Sequence, residues 1–404
     1  MNATSPQVPC DLNGPDATKT NLALPGIILA IGLAMNLAQT TLALTNGSQP
    51  SDFFVFWSAA CFMAGNDPGS FPAIYDPLAL ADWQNGLPFA SGKIHPFAYP
   101  PTLLLFLRPL AALDYGTARI LWLAVSFAVL GLAVGAHRRP VLWLVLAAAP
   151  ASLMNIAFAQ NGFWMAALVA GGLLRLERAP VLAGILIGLA TIKPQLGLMI
   201  PLVLVLARAW IPLAIATATA AFMALASLFW LGDGVWLAWF SALDLMAAET
   251  SRHVASLAPW LASVPAAMLA SGLAGPPVWI AQLALIAGVG SLLLAIARTG
   301  NRRALVAAGL LATLAATPFS YVYDSVLALP AIILTFSSLA GPTSTRLGRV
   351  TLTALWFAPF LSIEFMPSGL PVLPVTAVAV AILLYLETRG ASDPLLPVGG
   401  TGSA

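Results

Sequence analysis

The chain has 404 residues, of which 60% are hydrophobic and 8% charged, with a mean hydropathy of +0.91, against about 25% charged in an average soluble domain. That composition excludes a water-soluble globule, and at about 20 residues per crossing it corresponds to roughly twelve helical spans. A formal net charge of +2 is too close to zero to suggest nucleic-acid binding. The apolar runs are long and rich in Leu and Ala, without the short alternating strands of an outer-membrane barrel, so the expected class is an all-α polytopic membrane protein.

Taken in chain order, residues 1–21 are polar and read as a cytoplasmic tail. The run Leu22–Leu44 is too long for the apolar core of a cleaved signal and reads as a retained first span. At 1.5 Å per residue it reaches about 34 Å, enough to cross a bilayer with some tilt. An outward loop, 45–98, follows, and the segment S-D-F-F-V-F-W-S-A-A from Ser51 predicts an amphipathic juxtamembrane helix within it. Apolar runs then lie near 99–113, 117–136, 141–157, 161–174, 180–192, 194–207, 211–231, 276–297, 304–319, 321–340, 350–362 and 370–386. The pair flanking Lys193 and Pro194 predicts a broken or hairpin element. If 99–113 and 117–136 both cross, His137–Arg139 fall outside, so one of the early runs is expected to be re-entrant. Residues 232–275 form a second outward segment, with an interfacial helix expected at Pro259–Gly272. One membrane domain thus covers 22–389, and the Pro/Gly-rich tail 390–404 reads as disordered and cytoplasmic.

Charge placement orients the chain in a cytoplasmic membrane. Twelve of the 17 basic residues fall in short clusters between apolar runs or beside the termini: Lys19, Arg138, Arg139, Arg175, Arg178, Arg208, Arg298, Arg302, Arg303, Arg346, Arg349 and Arg389. These mark the cytoplasmic face by the positive-inside rule. Cys10 and Cys61 then lie on opposite sides of the membrane, which excludes an intrachain disulfide.

The first outward loop holds eleven of the chain's aromatics, from Phe53 to Tyr99 and including Trp57 and Tyr75. Alone they would suit an anchoring belt at the bilayer interface. Asp52 stands among them, either as a helix N-cap or as a carboxylate kept ionised by the helix N-terminus and placed to take a proton from an incoming hydroxyl. The loop continues through G-N-D-P and I-Y-D-P, which contains Asp76, into H-P-F-A-Y-P-P-T-L-L-L-F-L-R-P-L. Arg108, two turns into an apolar run, is either a snorkelling side chain or a functional cation. Lys193 in T-I-K-P-Q-L-G-L, at a proline break, is suited to a phosphate, with Gln195 an added amide donor; the competing reading is a surface loop lysine. Asn155, Gln160 and Asn161 read chiefly as hydrogen-bonding glue between helices. Asp244, Glu249, Arg252 and His253 form a polar stretch, and T-P-F-S-Y-V-Y-D-S at 317–325 marks a break carrying Tyr323 and an Asp324 expected to be paired.

No Walker A loop, H-E-x-x-H or C-x-x-C occurs, so ATP-driven transport, zinc hydrolysis and thiol redox have no anchor. No D-x-D occurs in the loop, and neither a tightly held divalent metal nor any other cofactor is indicated.

The motifs S-D-F-x-V-F-W, G-N-D-P, I-Y-D-P, F-A-Y-P-P-T-L-L-L with R-P-L, A-Q-N-G at 159–162, I-K-P-Q at 192–195 and T-P-F-S-Y-V-Y-D ending at Asp324 are collectively similar, in order and spacing, to glycosyltransferase family 87. That family comprises polyprenol-phosphate-mannose-dependent mannosyltransferases. The resemblance implies a GT-C-type bundle of about 11–13 transmembrane helices with a juxtamembrane helix in the first outward loop. It implies inverting transfer of a sugar, mannose by precedent, from a polyprenyl-phosphate donor to a lipid or glycan acceptor at the membrane's outer face. Asp52 matches the family's general base, and Lys193 is placed to hold the donor phosphate. Arg108, Arg252 and His253 are inferred, from charge and placement, as further phosphate or hydroxyl partners. Trp57, Tyr75, Asp76, Tyr99, Gln160, Gln195, Tyr323 and Asp324 are candidate substrate contacts. The A-Q-N-G segment departs from the family pattern, which more usually begins with Gly where this chain has Ala159. The alternative from another class is a secondary transporter or flippase, since broken helices and intramembrane charges also mark substrate pathways.

Overall fold

The structure is a computed structural model that describes residues 30–38, 41, 51–88, 95–338 and 345–390. The expected tail 1–21 with Cys10, most of the first span, loop residues 45–50 and 89–94, and the tail after Gly390 lie outside the described residues. The described residues are helical, with no β-strand and one isolated bridge, between Leu261 and Tyr321.

The helices, in chain order, are α1 Phe53–Gly65, α2 Pro77–Asn85, α3 Pro101–Leu107, α4 Tyr115–Ala133, α5 Val141–Ala148, α6 Pro150–Phe158, α7 Gly162–Leu173, α8 Pro180–Leu189, α9 Ile200–Leu206, α10 Trp210–Leu231, α11 Asp233–Arg252, α12 Val254–Leu257, α13 Val264–Ala270, α14 Pro276–Arg298, α15 Arg302–Ala316, α16 Ala328–Ser338, α17 Arg346–Phe365 and α18 Val372–Gly390. Five elements are long and apolar enough to cross a membrane: α4, α10, α14, α17 with its 3-10 extension to Ser368, and α18 up to Arg389. α5 and α6 are long and apolar enough only together and are bent by 62° at their junction, the geometry of a broken span or a re-entrant loop. Pro150 stands at the bend, at the first position of α6, where it lacks the N–H that would continue the preceding helix. Six shorter apolar helical stretches complete the set, and the chain is a polytopic all-α membrane protein.

The early run predicted at 99–113 is one of these short pieces. It is α3 followed by a 3-10 turn, Arg108–Ala112. At 1.5 Å per residue it rises roughly 18 Å, too little to cross a hydrocarbon core of about 30 Å.

The juxtamembrane helix α1 exists but is not amphipathic. It is apolar around its circumference, and Phe53 through Ala60 are all buried, as expected for a helix without a polar face. The loop aromatics accordingly form an interior rather than an anchoring belt: Phe53, Phe54, Phe56, Trp57, Phe62, Phe71, Tyr75 and Phe97 are buried. The 20-residue helix α11 covers this cap on one side, packing on the 3-10 segment Pro68–Tyr75, with Trp239 Nε1 donating to Ala98 O at 3.3 Å. The interfacial helix expected at Pro259–Gly272 is shorter, α13, entered from a 3-10 turn at Ala258–Trp260.

Two ends of the bundle are defined by contacts between turns. At one, Arg175 Nη1 donates to Ala133 O at 3.2 Å, and Arg302 pairs with Glu177 and donates to Ala207 O at 2.9 Å. The turns carrying the arginine clusters therefore meet. At the other, Asp52, Tyr99, Gln160, Lys193 and Asp324 meet.

α8 and α10 form the most extensively contacting helix pair. Gly184 and Gly188 make this possible: a Cβ at Gly188 would lie 2.5 Å from Thr219 Cβ and 2.7 Å from Ala216 O. Small residues at such crossings let helices gain dispersion contact where no hydrophobic effect drives them together. Gly188→Ala is expected to destabilise the bundle by about 1–3 kcal/mol through overpacking, read as a lowered thermal unfolding midpoint in detergent micelles.

Candidate active site

Asp52 immediately precedes α1, yet its side chain makes no capping bond to that helix. Its carboxylate turns instead to Gln160, whose Nε2 donates to Asp52 Oδ2 at 3.1 Å. The N-cap reading is thereby overturned, and so is the expectation that a helix terminus keeps Asp52 ionised. Burial pushes its pKa up from the usual carboxylate value, while the Gln160 hydrogen bond and the Lys193 charge pull it down. The net shift is upward, and a carboxylate less willing to ionise is a stronger base once it has done so.

Gln160 reaches Asp52 because of the backbone just before it. α6 ends at Ala159, which lies in the left-handed region with φ 50° and ψ 44°. The turn reverses the chain so that α7 can begin at Gly162, whose N–H donates to Asn155 Oδ1 at 2.9 Å. A Cβ at Gly162 would fall 2.6 Å from that oxygen and 2.8 Å from Tyr323 O, so the close approach of this turn to the 322–327 segment requires glycine. The A-Q-N-G segment is thus more than glue. The position where the resembling family usually carries Gly is one where an L-residue is strained, at about 1–2 kcal/mol.

Lys193 sits between two breaks. α8 runs into a 3-10 turn at Ala190–Ile192, Lys193 adopts φ −149° and ψ 73°, and Pro194 opens a second turn before α9. The side chain is buried, which overturns the reading of a surface loop lysine. Its Nζ lies 2.5 Å from Asp324 Oδ1, with the two side chains 4% and 0% exposed. It also stands 4.9 Å from the Tyr323 ring centroid and 5.8 Å from that of Tyr99, within cation–π range. Asp324 is paired, as expected. Its Oδ2 accepts from the Tyr321 N–H at 3.0 Å, and the Tyr321 and Tyr323 rings stack at 5.2 Å and 9°.

The other predicted residues divide. Tyr99 belongs to the site, its hydroxyl donating to Gln160 Oε1 at 2.7 Å. Tyr75 supports it from behind, donating to Tyr99 O at 2.8 Å. Trp57 is buried with its Nε1 donating to Leu113 O at 3.0 Å, which makes it a packing residue of the cap. Asp76 is exposed and caps α2, its Oδ1 accepting from the N–H groups of Leu78 and Ala79. Gln195 is half-buried two residues past Lys193, its backbone O taken by the Thr317 hydroxyl at 2.9 Å.

Arg108 was inferred as a further phosphate or hydroxyl partner, and the 3-10 turn that it opens packs on α1, the helix that follows Asp52. α3 ends at Leu107, Arg108 is exposed, and it forms no hydrogen bond or ion pair with Asp52, Lys193 or Asp324. The apolar run that seemed to embed it is too short to bury its end. Arg252 and His253 are exposed at the end of α11, where both pair with Glu249 of the same helix. Residues not foreseen as site members are Tyr321, named only within its motif, and Trp122, whose Nε1 donates to Gln160 O at 3.4 Å. Among the described residues no three His, Cys, Asp or Glu side chains gather into a metal-binding set.

Two stability predictions follow from this geometry. Lys193→Met or Asp324→Asn leaves a buried charge unpaired and is expected to destabilise by about 3–5 kcal/mol, whereas Lys193→Met with Asp324→Leu recovers most of the loss; thermal unfolding of the three variants is the measurement. Ala159→Gly is expected to stabilise by up to about 1 kcal/mol by relieving the left-handed strain, seen as a raised midpoint in the same assay.

No curated protein and no solved structure gives a match. A family model does: glycosyltransferase family 87 matches residues 97–330, more than half of the 404-residue chain. The match contains Tyr99, Gln160, Lys193 and Asp324, while Asp52 precedes it. The chain belongs to glycosyltransferase family 87 and is a membrane glycosyltransferase.

Proposed function

We propose that the protein transfers a sugar, mannose by family precedent, from a polyprenyl-phosphate donor to a hydroxyl of a lipid or glycan acceptor, with Asp52 as general base. The observation that carries this reading is the disposition of Asp52: half-buried, released from capping its own helix, and held through one oxygen only. Among the described residues Oδ1 accepts no hydrogen bond, so it is open to an incoming hydroxyl.

The reaction is a single displacement. The acceptor oxygen attacks the anomeric carbon, its proton passes to Asp52, and the carbon–oxygen bond to the polyprenyl phosphate breaks with inversion. A leaving phosphate needs a cation. Lys193 is the basic residue whose charge reaches Asp52. One of its three N–H donors goes to Asp324, and two remain. A lipid-linked donor suits a site on broken helices, because its tail stays in the bilayer while the sugar reaches the polar end. The basic turns at the opposite end support, by the positive-inside rule, a site on the outer face of a cytoplasmic membrane. α3, too short to cross alone, supports taking its run as the re-entrant one.

The test uses membranes carrying the full-length protein, a labelled polyprenyl-phosphate sugar and lipid extracts as acceptors. The wild type is expected to transfer label to lipid, and Asp52→Asn to lose about 10²–10⁴-fold in rate, the usual worth of a positioned base. Undiminished transfer by Asp52→Asn would overturn the base assignment. Absence of transfer by the wild type from any lipid-linked donor would overturn the donor class.

A further inference from the structure

Gln160 has its amide fixed at both ends. Its Oε1 accepts from the Tyr99 hydroxyl at 2.7 Å, and its Nε2 donates to Asp52 Oδ2 at 3.1 Å. Exchanging the amide oxygen and nitrogen would set a carbonyl oxygen against a carboxylate oxygen, which is repulsive. The residue is buried, with 4% exposure, so water does not offer an alternative partner to most of it.

The groups around Gln160 are held as firmly. Its N–H donates to Asn155 O at 3.2 Å, and its carbonyl accepts from Trp122 Nε1 at 3.4 Å. Ala159 accepts a strained backbone to aim it, and strain of this kind collects at functional sites. Tyr99 is anchored by the Tyr75 hydroxyl on its carbonyl and by an edge-to-face contact with Phe56 at 5.0 Å. From the cap to α6, the contacts converge on one oxygen of Asp52.

We infer that Gln160 is a positioning residue for the transfer reaction: it holds Asp52 by Oδ2 so that Oδ1 faces the acceptor hydroxyl, and Tyr99 sets the direction of its amide. This rests on the reading of Asp52 as the base. The titratable and charged groups around Asp52 are Lys193 beyond α8, Tyr99 ahead of α3, Tyr321 and Tyr323 ahead of α16 with Asp324 behind Lys193, and Tyr115 of α4, whose hydroxyl lies 3.1 Å from Ser51 N. Lys193 is already matched by Asp324. The Gln160 amide is therefore the direct hydrogen-bonding partner of the ionised carboxylate. Without it the protonated form is favoured, and the acid limb of the rate profile, where Asp52 loses its proton as pH rises, moves to higher pH.

The experiment measures kcat and KM against pH for full-length wild type, Asp52→Asn, Gln160→Met and Tyr99→Phe, with the labelled polyprenyl-phosphate sugar and acceptor extract, alongside thermal unfolding. Gln160→Met keeps the side-chain length and removes the amide. It is expected to lower kcat at neutral pH at least about tenfold, to leave the donor KM within about twofold, and to raise the acid limb by about one pH unit. Tyr99→Phe keeps the ring, leaves the amide oxygen only the Asn161 N–H at 3.3 Å, and is expected to move the limb in the same direction by less. An unmoved limb in both variants, with activity lost only in proportion to folded protein, overturns the inference. If Gln160→Met does not fold, the limb in Tyr99→Phe decides. Wild-type activity in Asp52→Asn would instead overturn the base reading beneath it, an outcome distinct from an inactive Asp52→Asn beside an unaltered Gln160→Met.

Discussion

The buried contact between Lys193 and Asp324 is the constraint from which the site follows. Each charge stands at a helix break that its own stretch of chain could not leave unpaired, since an isolated ion away from water costs several kcal/mol. The two residues are 131 positions apart, and joining them locks the proline break after α8 to the break before α16. Neither break could relax into a continuous helix without stranding the other's charge. The Tyr99 and Tyr323 rings flank the ammonium, and the Tyr321 N–H takes the second oxygen of Asp324, so both oxygens of the carboxylate are satisfied within protein.

That neutralised pair lets two carboxylates in one region take different parts. Asp324 is closed, with one oxygen on a lysine and the other on a backbone N–H. Asp52 is open, with one oxygen on a neutral amide and the other free of protein donors among the described residues. Environments that separate two acids in this way are how a single site assigns one to structure and one to chemistry. The separation depends on the sharp turn at Ala159–Gly162, which brings Gln160 from α6 to a carboxylate carried by the aromatic cap.

Much of this was legible in the sequence because lipid imposes strong rules. A long apolar run must be a helix, a proline beside a charge must be a break, and a charge in an apolar setting must find a partner; Lys193, Pro194 and Asp324 each obeyed. Illegible were properties that depend on which face a residue meets. Arg108 looked embedded because its neighbours are apolar, yet α3 is too short to bury its end. Asp76 and Asp52 both precede helices, and only the fold shows that Asp76 caps while Asp52 turns away. The loop aromatics suited a belt until α1 proved buried around its circumference. The Ala159 departure from the family pattern carried meaning that only a positive φ exposes.

The opposite end refines the view of the basic clusters as orientation signals alone. Arg175 donates to carbonyls of both Ala133 and Gly171, and Arg302 to that of Ala207. Each is a helix-end carbonyl left without an intrahelical donor, so these arginines close turns as well as mark a side of the membrane. Arginine suits both tasks, because its fork of five donors can serve two carbonyls while its charge stays near water. The bundle is thereby pinned at one end by cations on backbone oxygens and on the exposed Glu177, and at the other by a buried cation on a buried carboxylate. At the second end Asp52 keeps Oδ1 without a protein donor among the described residues, within reach of a buried cation, whereas Glu177 at the first end lies exposed in its ion pair with Arg302.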